Sequence, residues 1–545
     1  MYEALLKATP EYQKVAASFG SAGPAALFGL PPAGRALLYA ALQKDLGRVL
    51  CIVTPGEAEA THFADDLKAL GLSAAVFPPR DFMLRPVEGA GREYEYRRLA
   101  VLGDLVGGRL QAVCVPDEGL TQYTTPRADF CANTRSLRPG DTLPRAELTA
   151  LLYGAGYTRR DQVDGPGQFS IRGDIADIYA PDMKQPARME FWGDEIDTMH
   201  TFDLATQRRD EPIEKIYVSP AREILFGQPA DAAEKIRSYI KKARGRRRTA
   251  LETCTAADLA QLDGGAMPVN MDKYLTLRYP EPATILDYFD DPLLILEEPA
   301  SLREAERATA FRRGEELSAL LEDGVLAAGL DKLYAESGWL WAQCAAHRTL
   351  CAENFARSMP DVPLKTIVNA PAHTLPAWGG EVAALLEDIQ PLCSGGTAVT
   401  VMAGTPRAAA GLAADLHTKG LNVTTDAAAE PSAGLVQILP GQLSAGCSLP
   451  FAKYAVFTAR AFGVSGAQKK KKRNKDALNS LSEISVGDLV VHQNHGIGRY
   501  AGIQRMAVQG VTKDYLRIEY DKKDVLYVPV TQLDLLSRYT APGDE

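Results

Sequence analysis

Residues 48–71, RVLCIVTPGEAEATHFADDLKALG, join a short apolar run to a longer helical pattern that stops just before a glycine. The run at 48–53 predicts a strand, and 57–70 predicts a helix. Similar patterns on both sides predict strands at Ala25–Gly29, Ala74–Phe77 and Gln111–Val115 and helices at Ala36–Leu46 and Glu93–Val106. Apolar strands that alternate with helices indicate a parallel sheet covered on both faces.

Length and composition indicate a globular protein of several domains. The chain has 545 residues, and at about 150 residues per domain that length predicts three or four domains. A hydrophobic content of 46%, a charged content of 24% and a mean hydropathy of −0.15 exclude disorder as the dominant state. The net charge of −9 excludes a protein that coats nucleic acid over its whole surface, so any such contact would be a local patch.

Several signals predict the compartment. No run reaches the roughly 18 apolar residues that a membrane span needs, and the amino terminus lacks the pattern of a signal peptide. The eight cysteines are scattered without a CxxC pair, which is typical of a reducing compartment. The close pair His492 and His495 has no further ligands around it, so no metal site is predicted. We therefore expect a cytoplasmic protein, without a membrane segment and monomeric; the family resemblance described below implies a bacterial one.

The pattern changes between residues 140 and 205. Alternating strand patterns lie at Gly167–Tyr179 (broken once by a glycine), Ala187–Trp192 and Ile196–Met199. Pro144–Leu152 predicts a leading helix with proline at the first helical position, where its missing N–H costs nothing. This segment is predicted to form a compact antiparallel α+β unit.

Three further segments follow. Residues 210–355 predict long helices around one strand, and residues 360–460 predict a second α/β stretch. The expected elements are helices Ala230–Arg244 and Ser301–Ala328 and strands Leu293–Leu296, Ala398–Met402 and Leu435–Leu439. The run QKKKKRNK at 468–475 predicts a solvated linker. The last sixty residues predict a small barrel of five short strands, at Leu489–His492, Gly498–Met506, Asp514–Tyr520 and Val525–Pro529 and in a tail that ends at Arg538-Tyr539.

Residues 29–36, GLPPAGRA, have the glycine spacing of a phosphate-binding loop, GxxxxGK[ST], between a strand and a helix. Arginine stands where the loop lysine should reach phosphate, and alanine replaces the hydroxyl that should hold Mg²⁺. Two prolines also remove backbone N–H groups from the cradle. The strand at 293–296 ends in glutamates where a metal-binding aspartate would stand. The predicted degenerate nucleotide site comprises Gly29, Gly34, Arg35, Ala36, Glu297 and Glu298, and no ATP hydrolysis is expected there.

Two blocks of sequence resemble a known family. GQFSIRGDIADI at 167–178, PARMEFWGDEI at 186–196 and TFDLATQR at 201–208 resemble the UvrB-like module of bacterial transcription-repair coupling factors. VGDLVVHQNHGIGRY at 486–500 and LYVPV at 526–530 resemble the RNA polymerase-interacting domain of the same family, which is related to CarD. The resemblance implies a multidomain α/β protein: a degenerate P-loop NTPase-like (UvrB-like) module with an inserted antiparallel α+β domain, a further α/β domain and a C-terminal SH3/Tudor-like β-barrel.

The resemblance also implies domain limits. They are 1–122 (UvrB-like domain 1A), 123–212 (domain 2, UvrA-binding), 213–355 (domain 1B), 356–462 (α/β domain 3), 463–484 (basic linker) and 485–545 (the polymerase-interacting domain). Relatives continue into a DNA-translocase motor with intact nucleotide motifs, whereas this chain stops at Glu545 without one. We therefore expect an amino-terminal half that carries no enzyme activity or cofactor of its own, with ATP and Mg²⁺ confined to the motor of full-length relatives and with DNA contact weak or absent.

The partners implied by the resemblance are UvrA and the β subunit of RNA polymerase. An arginine offers a planar fork of donors to a partner's carboxylates, so Arg172 is the first candidate for UvrA. The weaker UvrA candidates are Arg159, Arg160, Arg188 and Phe191. The polymerase candidates on the strand at 514–520 are Tyr515, Leu516, Arg517 and Ile518. Alternation separates Leu516 and Ile518 from Tyr515 and Arg517, and the sequence leaves open which face is core.

Two alternative functions remain open at this point. A UvrB-type ATP-dependent DNA helicase subunit would need a lysine at position 35 and a damage-clamping hairpin, and a CarD-type polymerase regulator would explain only the carboxy terminus. The basic run Lys241–Arg248 could contact DNA phosphate, or it could be a solvated helix end.

Overall fold

A computed structural model describes residues 2–85, 92–359, 362–459, 486–492, 496–508, 511–520, 525–529 and 536–538. Its first sheet has seven parallel strands in the order β15-β1-β14-β13-β2-β4-β3. The strands, numbered in chain order, are β1 (Gly23–Phe28), β2 (Leu50–Thr54), β3 (Ala74–Val76), β4 (Ala112–Pro116), β13 (Leu293–Glu297), β14 (Arg348–Glu353) and β15 (Thr366–Asn369). All residues of β1, β2, β4 and β13 are buried. The predicted parallel sheet with two covered faces is confirmed.

Helices cover this sheet. They are α1 (Tyr2–Lys7), α2 (Pro10–Ser18), α3 (Pro32–Leu46), α4 (Glu57–Ala69), α5 (Glu93–Val106), α6 (Asp117–Leu120), α12 (Pro299–Glu322) and α13 (Trp339–Ala346). Helix α3 begins four residues before the predicted start, because Pro32 fits the first turn. The helix predicted to reach Ala328 ends at Glu322, just before Gly324 adopts a positive φ of 67°.

Residues 135–218 form the predicted α+β unit, whose six-stranded sheet is antiparallel except for its first strand, which pairs in parallel with the second. A six-stranded sheet has the order β11-β10-β9-β8-β7-β6. Its strands are β6 (Thr158–Arg159), β7 (Gln168–Arg172), β8 (Ile175–Tyr179), β9 (Ala187–Trp192), β10 (Glu195–Phe202) and β11 (Arg209–Pro212), beside a two-stranded ladder of β5 (Arg135–Leu137) and β12 (Ile216–Val218). Helices α7 (Arg127–Ala132) and α8 (Arg145–Gly154) precede the sheet. The position predicted for Pro144 was wrong by one residue, because Pro144 is the cap of α8 and lies outside it.

A helical region follows. It contains α9 (Pro229–Lys242), α10 (Gly245–Asp263) and α11 (Leu275–Arg278), with short 3₁₀ turns at Met271–Tyr274 and Ile285–Tyr288. The single helix predicted at 230–244 stops at Lys242, since Ala243 and Arg244 are extended and Gly245 has a φ of 57°. The basic run 241–248 therefore spans the break between two helices.

The last two sheets lie in the carboxy-terminal part. A mixed sheet, ordered β16-β20-β21-β17-β19-β18, comprises β16 (His373–Leu375), β17 (Ala398–Met402), β18 (Asn422–Thr424), β19 (Leu435–Leu439), β20 (Gly446–Leu449) and β21 (Tyr454–Thr458), with a 3₁₀ turn at Pro450–Ala452 and helices α14 (Val382–Ser394) and α15 (Pro406–Thr418). An antiparallel sheet, ordered β25-β24-β23-β22-β26, comprises β22 (Leu489–His492), β23 (Gly496–Val508), β24 (Val511–Glu519), β25 (Val525–Pro529) and β26 (Leu536–Arg538).

The multidomain α/β architecture is confirmed, and the five predicted C-terminal strands are present. The P-loop-like character of the first sheet, the closure of the last sheet into a barrel and the domain limits stay predictions. The predicted linker at 468–475 lies outside the described residues. Within the described ranges, no helix is both long enough and apolar enough to span a bilayer.

Candidate protein-docking surface and the filled phosphate loop

The segment with the spacing of a phosphate loop is mostly helical. Helix α3 already begins at Pro32, so Gly34, Arg35 and Ala36 lie inside its first turns and form no open cradle. A Cβ on Gly29, whose φ is 91°, would lie 3.1 Å from the Ala370 carbonyl oxygen. A Cβ on Gly34 would lie 3.0 Å from the Cys447 sulfur of β20. Both glycines therefore permit close packing.

The cation and the carboxylates predicted for the degenerate nucleotide site come together. Arg35 is buried at 2% exposure, with Nη1 2.6 Å from Glu297 Oε2 and Nη2 2.6 Å from Glu298 Oε1. Nη1 also donates to the Ala352 carbonyl oxygen at 3.1 Å, and the Tyr39 hydroxyl donates to Glu297 at 2.5 Å. The guanidinium thus joins α3 to the ends of β13 and β14 in the space between them.

Burial and mutual attraction determine the pKa shifts of Glu297 and Arg35. Desolvation raises the pKa of Glu297, and the Arg35 charge opposes that rise. Desolvation alone would lower the pKa of Arg35, but Glu297 and its neighbours raise it. Arg35 therefore stays charged and engaged with protein carboxylates. Within the described residues, no cluster of side chains suited to a metal ion is present.

On the six-stranded sheet, Asp177 holds two of the predicted arginines. Its buried carboxylate accepts from Arg188 Nε at 2.6 Å and from Arg172 Nη2 at 3.0 Å. Arg188 is 12% exposed and lies over the Phe202 ring at 4.6 Å, whereas Arg172 is 51% exposed. The hydrogen bond to Asp177 raises the pKa of Arg188. Arg172 thus presents an oriented guanidinium to solvent, and Arg188 serves mainly to hold the sheet.

The aromatic candidate on β9, Phe191, faces the core, and its neighbour Trp192 is exposed. Phe191 is 6% exposed and belongs to the core with Met189 and Ile196, so it has little surface to offer a partner. Trp192 lies on the opposite face and is 81% exposed. The sequence alternation contained this information. Buried and solvent-facing positions alternate along β9, and Trp192 lies with Arg188 on the solvent-facing side.

Arg159 and Arg160 lie at the edge strand β6 and just beyond it. Both are exposed; Arg159 Nη2 donates to the Ile171 carbonyl oxygen at 3.4 Å, and the Arg160 backbone N–H donates to Phe169 at 2.9 Å. Because β6 pairs with β7, these arginines flank the strand that carries Arg172. Arg159 is in register with the core residue Phe169 and therefore lies on the opposite sheet face from Arg172. We call Arg160, Arg172 and Trp192 the arginine–tryptophan surface.

The structure separates the faces of β24. Leu516 and Ile518 are fully buried with Val490, Tyr500 and Val528, and they cannot contact a partner in the folded sheet. Arg517 is partly exposed and pairs with Glu519 at 2.7 Å, while Tyr515 is almost buried. Strand β24 lies between β23 and β25, so the outer strands of this sheet are β25 and β26. Of the four polymerase candidates, Arg517 is the one that solvent reaches well.

Comparison with known proteins matches the two segments that contain these residues. Residues 136–224 match the family described as the UvrB interaction domain, and residues 484–540 match the CarD-like/TRCF RID domain. The chain is 29% identical over 534 residues to the transcription-repair-coupling factor of Bacillus subtilis (strain 168), covering 94% of this chain and 45% of the relative. This chain resembles the transcription-repair-coupling factors. It is also 25% identical to the factor of Staphylococcus haemolyticus (strain JCSC1435), over 95% of this chain and 45% of that protein.

The chain spans about half the length of the transcription-repair-coupling factors that it matches. A third relative, from Staphylococcus aureus (strain MRSA252), is 24% identical over 99% of this chain and 47% of its own length. The UvrB interaction match contains the whole six-stranded sheet with Arg172 and Trp192, and the RID match contains the five-stranded sheet with Arg517. The recognised resemblance is confirmed for both blocks.

Proposed function

We propose that this chain is an adaptor in transcription-coupled DNA repair. Its C-terminal sheet would bind stalled RNA polymerase, and its six-stranded sheet would recruit UvrA and so promote nucleotide excision repair. The observation that carries the proposal is that an 81% exposed tryptophan shares a sheet face with an oriented arginine, within the segment that matches the UvrB interaction domain.

The arginine–tryptophan surface has the chemistry of a protein-binding hot spot. Tryptophan and arginine are the residue types most enriched at such spots, where they anchor a partner. Asp177 fixes the Arg172 fork before binding, which reduces the entropy lost when a complex forms. UvrA carboxylates that face Arg172 and an apolar pocket that receives Trp192 would complete this interface.

At the other end, the proposed polymerase partner is the β subunit. Arg517 supplies a partly exposed charge, and the outer strands β25 and β26 offer backbone groups to which a partner strand could add. Leu516 and Ile518 support this surface from the core. Their role in the proposal is to keep the sheet folded.

The proposal assigns no ATP hydrolysis to this chain, which we take to be a monomer. The Arg35 guanidinium is engaged by two glutamates, and Ala36 has no hydroxyl for Mg²⁺. ATP and Mg²⁺ would belong to the motor of longer relatives, as would most contact with DNA. A UvrB-type helicase subunit would need a free cation at position 35, which this ion pair does not supply.

Mixing the chain with UvrA in the absence of nucleotide tests the proposal. We expect the two proteins to co-elute from a size-exclusion column at micromolar concentrations, because the arginine–tryptophan surface is exposed without any nucleotide. Separate elution of the two proteins under these conditions would contradict the proposal.

A further inference from the structure

A cavity of about 490 Å³ lies where the six-stranded sheet unit meets the helical region. Its walls come from the end of α8 and the turn after it, from the start of α5, and from the segments before α9 and after α10. Volumes of 300–1,000 Å³, roughly, are typical of sites for small organic ligands. The aromatic rings of Tyr153 and Phe226 form part of the lining.

The lining includes an arginine without a partner. Within the described part of the chain, no carboxylate lies within ion-pair distance of Arg222, and its side chain makes no hydrogen bond. Gly156 accommodates this side chain, since a Cβ there would lie 2.6 Å from Arg222 Cγ and the glycine φ is 83°. The Arg222 stem is therefore packed in place although its guanidinium has no protein acceptor.

The carboxylates that line the cavity are already engaged. Glu95 accepts from Arg92 at 2.7 Å and from the backbone N–H of Glu223 at 3.0 Å. Asp272 accepts from Arg80 at 2.6 Å and from the Met83 N–H at 2.7 Å. Both carboxylates attract Arg222 from a distance, but neither is hydrogen-bonded to it.

The surrounding charges do not balance. Arg98 shares the Glu223 carboxylate with Arg80, at 2.6 Å and 3.1 Å. Four arginines (80, 92, 98 and 222) thus face three carboxylates (95, 223 and 272) among the described residues. Burial, followed by the neighbouring Arg92 charge, lowers the pKa of Arg222. Arg222 is only partly buried, and a bound anion would supply the acceptor that its guanidinium lacks among the described residues.

We propose that this cavity binds a nucleoside monophosphate, with its phosphate on Arg222 and Arg159 and its base against Tyr153 and Phe226. Arginine forks match phosphate oxygens in geometry and charge, and flat aromatic side chains stack on nucleobases. Arg159 lies on the cavity lining, on the opposite face of the sheet from Arg172. Arg222 is not among the residues proposed to contact UvrA, so its substitution tests the ligand site apart from UvrA docking.

Calorimetric titration of the full chain with adenosine 5′-monophosphate tests this site. We expect binding that weakens about tenfold or more in Arg222→Gln, since a charge-assisted hydrogen bond is lost. The matched control is Arg138→Gln, which removes an exposed arginine of the same sheet unit and should leave binding unchanged. Arg222→Lys should keep most of the affinity. Adenosine and inorganic phosphate should each bind at least about tenfold more weakly than the monophosphate.

Melting temperatures distinguish a ligand-binding role of Arg222 from a purely structural role. Because Arg222 lacks a protein acceptor, Arg222→Gln should melt no lower than the wild type without ligand, and the monophosphate should raise the melting temperature of the wild type alone. Failure of the wild type to bind the monophosphate at millimolar concentration would overturn the proposal. Equal affinity in Arg222→Gln, or phosphate binding as tightly as the nucleotide, would also overturn it.

Discussion

Replacing Arg35 with methionine is expected to lower the free energy of opening of the seven-stranded sheet by about 3–5 kcal/mol, because it leaves Glu297 buried without its partner. The Tyr39 hydroxyl alone cannot compensate a carboxylate that is 2% exposed. Burial raises the pKa of Glu297 to about 7 even beside Arg35. At low pH, Glu297 is therefore protonated in the variant and leaves no unpaired charge in the core. The deficit should therefore be smaller at about pH 5 than at about pH 8. Hydrogen exchange of the β1, β13 and β14 amides measures this free energy of opening.

The control for this substitution is an exposed ion pair just before the amino-terminal ends of the central strands β2 and β13. Arg48 pairs with Asp291 on the surface, and Arg48→Met should cost less than about 1 kcal/mol. Adding Glu297→Gln to Arg35→Met should recover part of the loss, since no unpaired charge then remains. An Arg35→Met deficit no larger than that of Arg48→Met would contradict the assigned role of the ion pair.

Trp192→Ala is expected to weaken UvrA binding by about 2 kcal/mol or more, roughly 30-fold in the dissociation constant. The side chain is 81% exposed, so its removal should leave the stability of the sheet nearly unchanged. Arg172→Ala should weaken binding less than Trp192→Ala, because it removes a charge but little apolar area. Titration calorimetry with purified UvrA measures both affinities.

Two controls separate this surface from general effects. Phe355→Ala removes a ring that is 71% exposed but lies outside residues 136–224, so UvrA affinity should not change. Phe191→Leu alters the core beside Trp192 and should lower stability with little effect on affinity. If Phe191→Leu weakened UvrA binding while Trp192→Ala did not, the docking surface would be wrongly placed.

Much of the architecture could be predicted from local pattern. Five strands of the parallel sheet were predicted, because strands buried on both faces are apolar almost throughout. Strands β14 and β15 were not predicted. The position of β13 within the sheet could not be predicted. Its partners β2 and β14 are distant in the chain, and hydrophobic periodicity carries no information on which strands become neighbours.

The candidate sites were predicted less completely than the fold, because the sequence alone does not show strand register or which side chains form ion pairs. A shift of one residue along a strand moves a side chain to the opposite face, so Phe191 was chosen where Trp192 is exposed. The sequence predicted Arg35, Glu297 and Glu298 as parts of a degenerate nucleotide site but could not show that they form ion pairs with one another. The cavity at Arg222 left no motif, because its walls come from segments far apart in sequence.

The most direct test of the adaptor proposal is whether one chain holds both partners at once. Mass photometry of the full chain with RNA polymerase and UvrA should show a complex that contains all three. Arg517→Glu should remove polymerase but retain UvrA, and Trp192→Ala should do the reverse, because the two surfaces lie on separate sheets. Mutually exclusive binding of the partners, or loss of both partners from either variant, would contradict it.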